Sequence, residues 1–281
     1  MDRAGVQVKA RRTIGGAAIG LLAALVFFSL PNRSAHADFV VELSRVAGLM
    51  PAEGMELRDA EPLPVRVNGV PMVYQVGVAE GEPVQALSAL LAHWQNEFPD
   101  RTAMTFREQQ GGWEVLSAVV LPEGSELDLW QPNGAIRGTV RVAIAMDEPG
   151  ERRSRILSLE AEPGARIDRL APGEVDRAND AEFLPQSADA RLMWVLAHED
   201  SGVPVRLGMY QSETSRQPGL RASLQAAGWE QVPLGASGRS SDRLSYWSRE
   251  GRDCFLGEIE TETGGLGVVV MRLPGFPRMA G

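Results

Sequence analysis

The chain has 281 residues, 44% of them hydrophobic, 23% charged and 6% aromatic. That composition excludes disordered, collagenous and polytopic membrane classes and fits a folded globular protein. The formal net charge is −9, and a field of that sign repels phosphate backbones and anionic headgroups, so no nucleic-acid partner is expected.

The chain opens with a basic stretch containing Arg3, Lys9, Arg11 and Arg12. An apolar run from Ile14 to Leu30 follows, then Pro31 and the small-residue box Ala35-His36-Ala37. That order is the pattern of a secretory signal peptide over residues 1–37, with cleavage expected before Asp38. The competing reading is an uncleaved anchor, because the apolar run approaches the shortest membrane-spanning helix, about 17 residues. In both readings the rest of the chain is exported, periplasmic or extracellular, and any membrane contact is through this segment alone. Arg11-Arg12 leaves a twin-arginine route open beside the general one.

Residues 1–37 hold five basic residues and one acid, so 38–281 carry 23 basic against 36 acidic side chains, a net charge of −13. Lys9 is the only lysine, which removes Schiff-base, P-loop and Ser-Lys chemistry from the exported part. The single cysteine, Cys254, allows no internal disulfide and reads as a small buried hydrophobe.

Beyond the leader, two stretches show weak self-similarity, the sign of repeated supersecondary units. Val67-Asn68-Gly69-Val70-Pro71 answers Asp200-Ser201-Gly202-Val203-Pro204, each between strand-like runs, and Asn-Gly at such a place predicts a two-residue hairpin. Each return strand contains a glycine, Gly77 and Gly208. A helix follows in both. The first starts at Glu82-Pro83 with an apolar stripe of Val84, Leu87, Leu90, Leu91, Trp94 and Phe98; the second carries Leu220, Leu224 and Ala227 and stops at Gly228.

Strands are then expected over Trp113–Leu121, Leu127–Trp130 and Gly138–Met146, and again over Arg243–Ser248, Cys254–Glu260 and Gly267–Leu273. The turns at Glu123-Gly124 and Asn133-Gly134 answer Glu250-Gly251 and Gly264-Gly265. In Val140-Arg141-Val142-Ala143-Ile144 the large apolar residues alternate with polar or small ones, as a sheet covered on one face requires. The fold class expected is therefore α+β: two related ββαβββ modules, mainly antiparallel sheets each packed by one helix, over 38–147 and 191–281. Residues 148–190, punctuated by Pro and Gly and rich in charge, read as a connector holding a strand near Ile156–Leu159.

The chemical candidates are weak. His93 and His198 fall in different modules without metal-ligand spacing, so no metal or cofactor is expected. His198-Glu199-Asp200-Ser201 places triad residue types in one turn, where they cannot form a linear relay. Gly235-Ala236-Ser237-Gly238 lacks the G-x-S-x-G pattern. Glu258, Glu260 and Glu262 alternate along a strand and read as a solvated face. Gly264-Gly265-Leu266-Gly267 joins two strands, reads as a hairpin turn and has no helix to receive a pyrophosphate. No catalytic or cofactor-binding residue is assigned.

An interaction role fits better. The patch Arg152, Arg153 and Arg155 is a local positive cluster on an acidic molecule, and Trp247 reads first as core or rim packing, with its flanks Ser245, Ser248 and Arg249 giving the alternative that it faces outward as a partner contact. The other tryptophans read as core or rim packing. The reading is an exported, non-enzymatic binding or assembly protein of the cell envelope with an envelope protein as partner. The alternatives are a secreted hydrolase using paired carboxylates and a small-ligand-binding protein with a pocket between the modules.

Overall fold

The structure is a computed structural model that describes residues 62–97, 103–110, 113–120, 137–147, 152–161, 164–170, 173, 184–200, 203–212, 219–233, 244–261 and 264–272. The leader, the strand expected over 127–130, the turns at 123–124 and 133–134, and Gly235 to Gly238 lie outside them. The protein is α+β: thirteen strands, all paired antiparallel, with two α-helices among the described residues. Neither helix is long and apolar enough to cross a membrane.

The described chain divides into two compact units. One takes in Val70–Pro172; the other takes in Val65–Gly69 together with the residues from Gly173 onward. The dividing point falls in the turn between β1 (Leu63–Val67) and β2 (Val70–Glu80). Asn68 and Gly69 there have φ of 48° and 79°, the left-handed pair of a type I′ turn that the Asn-Gly signal predicts.

The first unit follows β2 with α1 (Pro83–Glu97), then β3 (Ala103–Gln110), β4 (Trp113–Val120), β5 (Arg137–Asp147) and β6 (Arg153–Ala161), in sheet order β2-β6-β5-β4-β3. A short β7 (Ala165–Arg166) pairs with the start of β5 and leads into a 3-10 turn, Ile167–Leu170. Pro83 opens α1 at the position where a missing N–H costs nothing. The buried stripe of α1 is narrower than the sequence suggests. Leu87 and Trp94 are buried and Leu90 and Leu91 half-buried, but Val84 is exposed at 39%.

Beneath α1 the small side chains Ala143 and Ala145, both fully buried, let the helix lie close to the sheet. Val140, Val142 and Ile144, on the opposite face of β5, are buried as well. This corrects the expectation of a sheet covered on one face: the small residues of β5 are not solvated but form the floor under the helix, and the strand is buried on both sides.

The second unit runs β8 (Arg191–Asp200), β9 (Val203–Ser212), α2 (Leu220–Ala226), β10 (Glu230–Val232), β11 (Leu244–Arg249), β12 (Arg252–Thr261) and β13 (Gly264–Arg272). Its sheet order is β9-β13-β12-β11-β10, with β8 and then β1 added beyond β9. The strand that precedes the helix thus pairs with the last long strand in both units.

Gly228 at φ 79° ends α2: its N–H donates to the Gln225 carbonyl at 2.9 Å and that of Trp229 to Leu224 at 3.0 Å, the paired bonds of a Schellman stop. Leu220, Leu224, Trp229, Trp247, Cys254, Leu256, Val269 and Met271 form the core on the α2 side. Glu250 and Gly251, φ 52° and 74°, make the expected turn between β11 and β12.

Three departures from the sequence reading have simple causes. The strand expected near 156–159 runs over Arg153–Ala161 and is central, between β2 and β5. β3 and β10 were not expected, because Glu-Gln-Val is too short to show a period and Ala-Met-Thr-Phe-Arg-Glu-Gln-Gln ends in four polar residues. Gly264, Gly265 and Gly267 are not a turn: they lie inside β13, opposite Thr261, Glu260 and Glu258 of β12.

Candidate functional site

Of the residues singled out as partner contacts, three lie at the start of β6, two of them exposed, and one is buried. Ser154, fully buried, donates its hydroxyl to the Gly81 carbonyl at 2.8 Å, and the Gly81 N–H donates to the Arg152 carbonyl at 3.0 Å. These bonds hold the start of β6 against the end of β2, with Glu80 directly opposite Arg153, a favourable cross-strand charge pair. Arg152 and Arg153 are exposed there. Arg155, two residues inward and opposite Val78, is half-buried. Burial pushes the Tyr74 hydroxyl to a higher pKa, and the nearby Arg155 charge acts against that rise.

Trp247 does not face outward. It is 1% exposed, packed among Leu224, Trp229, Cys254 and Leu256, and its indole N–H donates to Ser245 Oγ at 2.9 Å. The polar flanks that suggested exposure are explained by that bond: Ser245 is itself buried and donates its hydroxyl to the Leu256 carbonyl at 3.3 Å. A buried indole needs a partner for its N–H, and here the partner sits two residues away on the same strand face.

Cys254 is fully buried, and burial pushes its thiol up to about 12, the state of an inert rather than reactive cysteine. Among the described residues no three His, Cys, Asp or Glu side chains gather as a metal site. His198 is buried within β8, opposite Val205, rather than in a turn. Glu258 is not on a solvated face. Its side chain is 10% exposed beneath α2, where Arg221 Nε donates to it at 2.8 Å.

The most concentrated set of charged groups among the described residues was missed by the sequence reading. Arg141 on β5 lies on the helix side, 8% exposed, and its guanidinium reaches two carboxylates. Nε and Nη2 contact Glu160 of β6, directly across the strand pair, at 2.8 and 2.6 Å; Nη1 contacts Glu97 in the last turn of α1. The same guanidinium stands 5.9 Å from the centre of the Trp94 ring, within cation–π range. His93 Nε2 lies 3.1 Å from Glu97. The Arg141 hydrogen bond, the first of several causes, lowers the pKa of Glu97.

No protein-family model matches the chain, and no curated protein or solved structure matches it. The Arg141 cluster therefore has to be read on its own geometry. A guanidinium held by two carboxylates has its donors occupied and its charge compensated, so it ties the end of α1 to β5 and β6. The signal for it was present in the sequence, as one arginine inside the apolar run Val140 to Ile144. Arg152 and Arg153 differ in exposure: both are at the surface beside the start of β6, with Glu80 directly opposite Arg153.

Proposed function

We propose that this chain is an exported, non-enzymatic binding or assembly factor of a bacterial-type cell envelope, built from two related modules. It works without a cofactor by holding a protein partner of that envelope. The single observation that carries the reading is β3. This strand has eight residues, pairs with β4 on one side, and ends the sheet of the first unit among the described residues. A strand of that length with one side unpaired offers a row of main-chain donors and acceptors for an added strand. The other unit ends in β10, only three residues long, which is how folded proteins blunt an edge.

The exposed Arg152 and Arg153 supply a second contact of positive sign on an acidic molecule and favour a partner with an acidic segment. What supports the repeat is the strand order, in which β2-β6-β5-β4-β3 and β9-β13-β12-β11-β10 follow the same rule around one helix. The aligned glycines Gly77 and Gly208 support it too. The leader over 1–37, read as a signal peptide, supports export.

The test is affinity capture of the tagged chain from its native envelope after mild cross-linking, with salt-washed controls. Adjacent strand residues direct their N–H groups to opposite sides, so Thr105→Pro and Phe106→Pro separate the two edges of β3. One removes an outward donor and the other a bond to β4. A stoichiometric partner, lost when the outward donor is removed in a variant that still folds and weakened by Arg152→Glu with Arg153→Glu, is the expected result. Recovery of the chain alone sinks the reading.

A further inference from the structure

In the second unit, Leu184 lies against Gly208 of β9: a Cβ built on that glycine would stand 2.7 Å from Leu184 Cδ1. The following carbonyl, of Pro185, accepts a hydrogen bond from Tyr210 Oη at 2.7 Å, and Ser187 Oγ accepts from the N–H groups of Asp189 and Ala190 at 3.2 Å each as the chain turns into β8. Residues 184–190 thus form a strap over Gly208 and Tyr210. Arg206, two residues from Gly208 on the same face of β9, is the next side chain along the strand.

Arg206 is half-buried. Its Nη1 donates to the carbonyl of its own neighbour, Val205, at 3.1 Å, while its Nε is shielded from water and has no acceptor. No carboxylate among the described residues pairs with it. A guanidinium N–H kept from water without an acceptor is costly and calls for a reason.

The register supplies one. Directly across from Arg206 stand Met271 of β13 and Ala197 of β8, and across from Ala197 stands Arg66 of β1. Opposed residues of antiparallel strands share a face, so these four form one row, all within the second unit. Two arginines therefore flank one alanine at two strand spacings, about 10 Å between their Cα atoms. Arg66 is exposed and likewise has no carboxylate partner among the described residues. Ala197, 4% exposed, leaves a low floor between the two cations.

We infer that Arg66 and Arg206 form a binding site, above Ala197, for a doubly charged oxyanion of the phosphate or sulfate class. Two guanidiniums balance two negative charges, and each planar fork meets a pair of oxygens at once. On binding, the Arg206 guanidinium turns from the Val205 carbonyl to the anion and exchanges a main-chain acceptor for charge-assisted ones. The field of an acidic chain opposes the approach of any anion, so the affinity comes from these two close contacts. The inference rests on neither the repeat nor the partner reading, and it can fail while both stand.

Titration of the full chain, with isotope-labelled arginine and at pH 8, where inorganic phosphate carries two charges, tests it. Phosphate, sulfate and acetate are compared in sodium chloride of matched ionic strength, with the Arg206 Nε–H resonance as the probe. The expected result is a saturating shift with phosphate and sulfate at least several-fold tighter than acetate. Arg206→Gln identifies the resonance by deleting it. Arg66→Gln, at an exposed position where the fold is not at stake, should weaken phosphate binding at least several-fold. Arg166→Gln removes the same charge from an exposed ion pair with Asp168 and should leave the affinity unchanged. A shift that does not saturate, an equal response to acetate, or an affinity that Arg66→Gln leaves intact overturns the inference. So does equal weakening by Arg166→Gln, which would report net charge and no site.

Discussion

Asn68 shows how one side chain can do the work of backbone. It is fully buried, its φ of 48° suits the turn after β1, and its N–H donates to the Val195 carbonyl at 2.9 Å. Its Oδ1 accepts from the Val195 N–H, also at 2.9 Å. The amide therefore continues the pairing of β1 with β8, which otherwise ends at Val67 opposite Leu196. Replacing it by glycine keeps the left-handed conformation and removes only the side-chain bond, leaving a buried N–H unpaired. Asn68→Gly should lower the unfolding free energy by about 1–3 kcal/mol, read as a shift of the urea midpoint. An unchanged midpoint would show that water replaces the amide. The Asn-Gly pair revealed the turn in the sequence. It said nothing of Val195, because a contact across 127 residues leaves no local pattern.

At the scale of elements, strands and helices with strong periodicity were legible and their surroundings were not. The alternation in β5 located the strand to within one residue at each end, yet Ala143 and Ala145 gave no hint that a helix covers them. The outward alternative for Trp247 failed for the opposite reason, and its reading as core packing held. Its serine and arginine neighbours looked like a surface, whereas Ser245 serves the indole from inside the core. Local polarity reports the company a residue keeps in sequence, and burial is decided by what packs over it. Gly208 allows a test of such packing. An added methyl would press on Leu184 and on the Tyr210 ring, 3.2 Å away, so Gly208→Ala should cost about 1–3 kcal/mol by overpacking. The joint variant Gly208→Ala with Leu184→Ala should recover part of that loss. A cost that is simply additive in a double-mutant cycle would mean that the strap does not bear on the strand.

For the whole molecule, the 37 acidic side chains govern how the fold responds to acid. Most carboxylates of a surface gain little from folding, but Glu97 is held by Arg141 and its pKa lies below the ordinary value of 4.5. A carboxylate whose pKa falls on folding adds stability above its unfolded value, and that stability is lost as pH drops through the folded one. The contribution of Glu97 should therefore be complete at pH 6 and fade below about pH 4.5. Because the carboxylate is more than one-third exposed, water screens the pair and keeps the effect small. Glu97→Gln should lower the urea midpoint at pH 6 and matter less at pH 3, where more of the wild-type side chain is protonated. Since Arg141 would still face Glu160 at 2.6 Å, the variant should remain folded at both pH values, so that the difference in midpoints reports this one ion pair. A deficit of the same size at pH 3 and pH 6 would assign the role of Glu97 to packing at the end of α1 instead of to its charge.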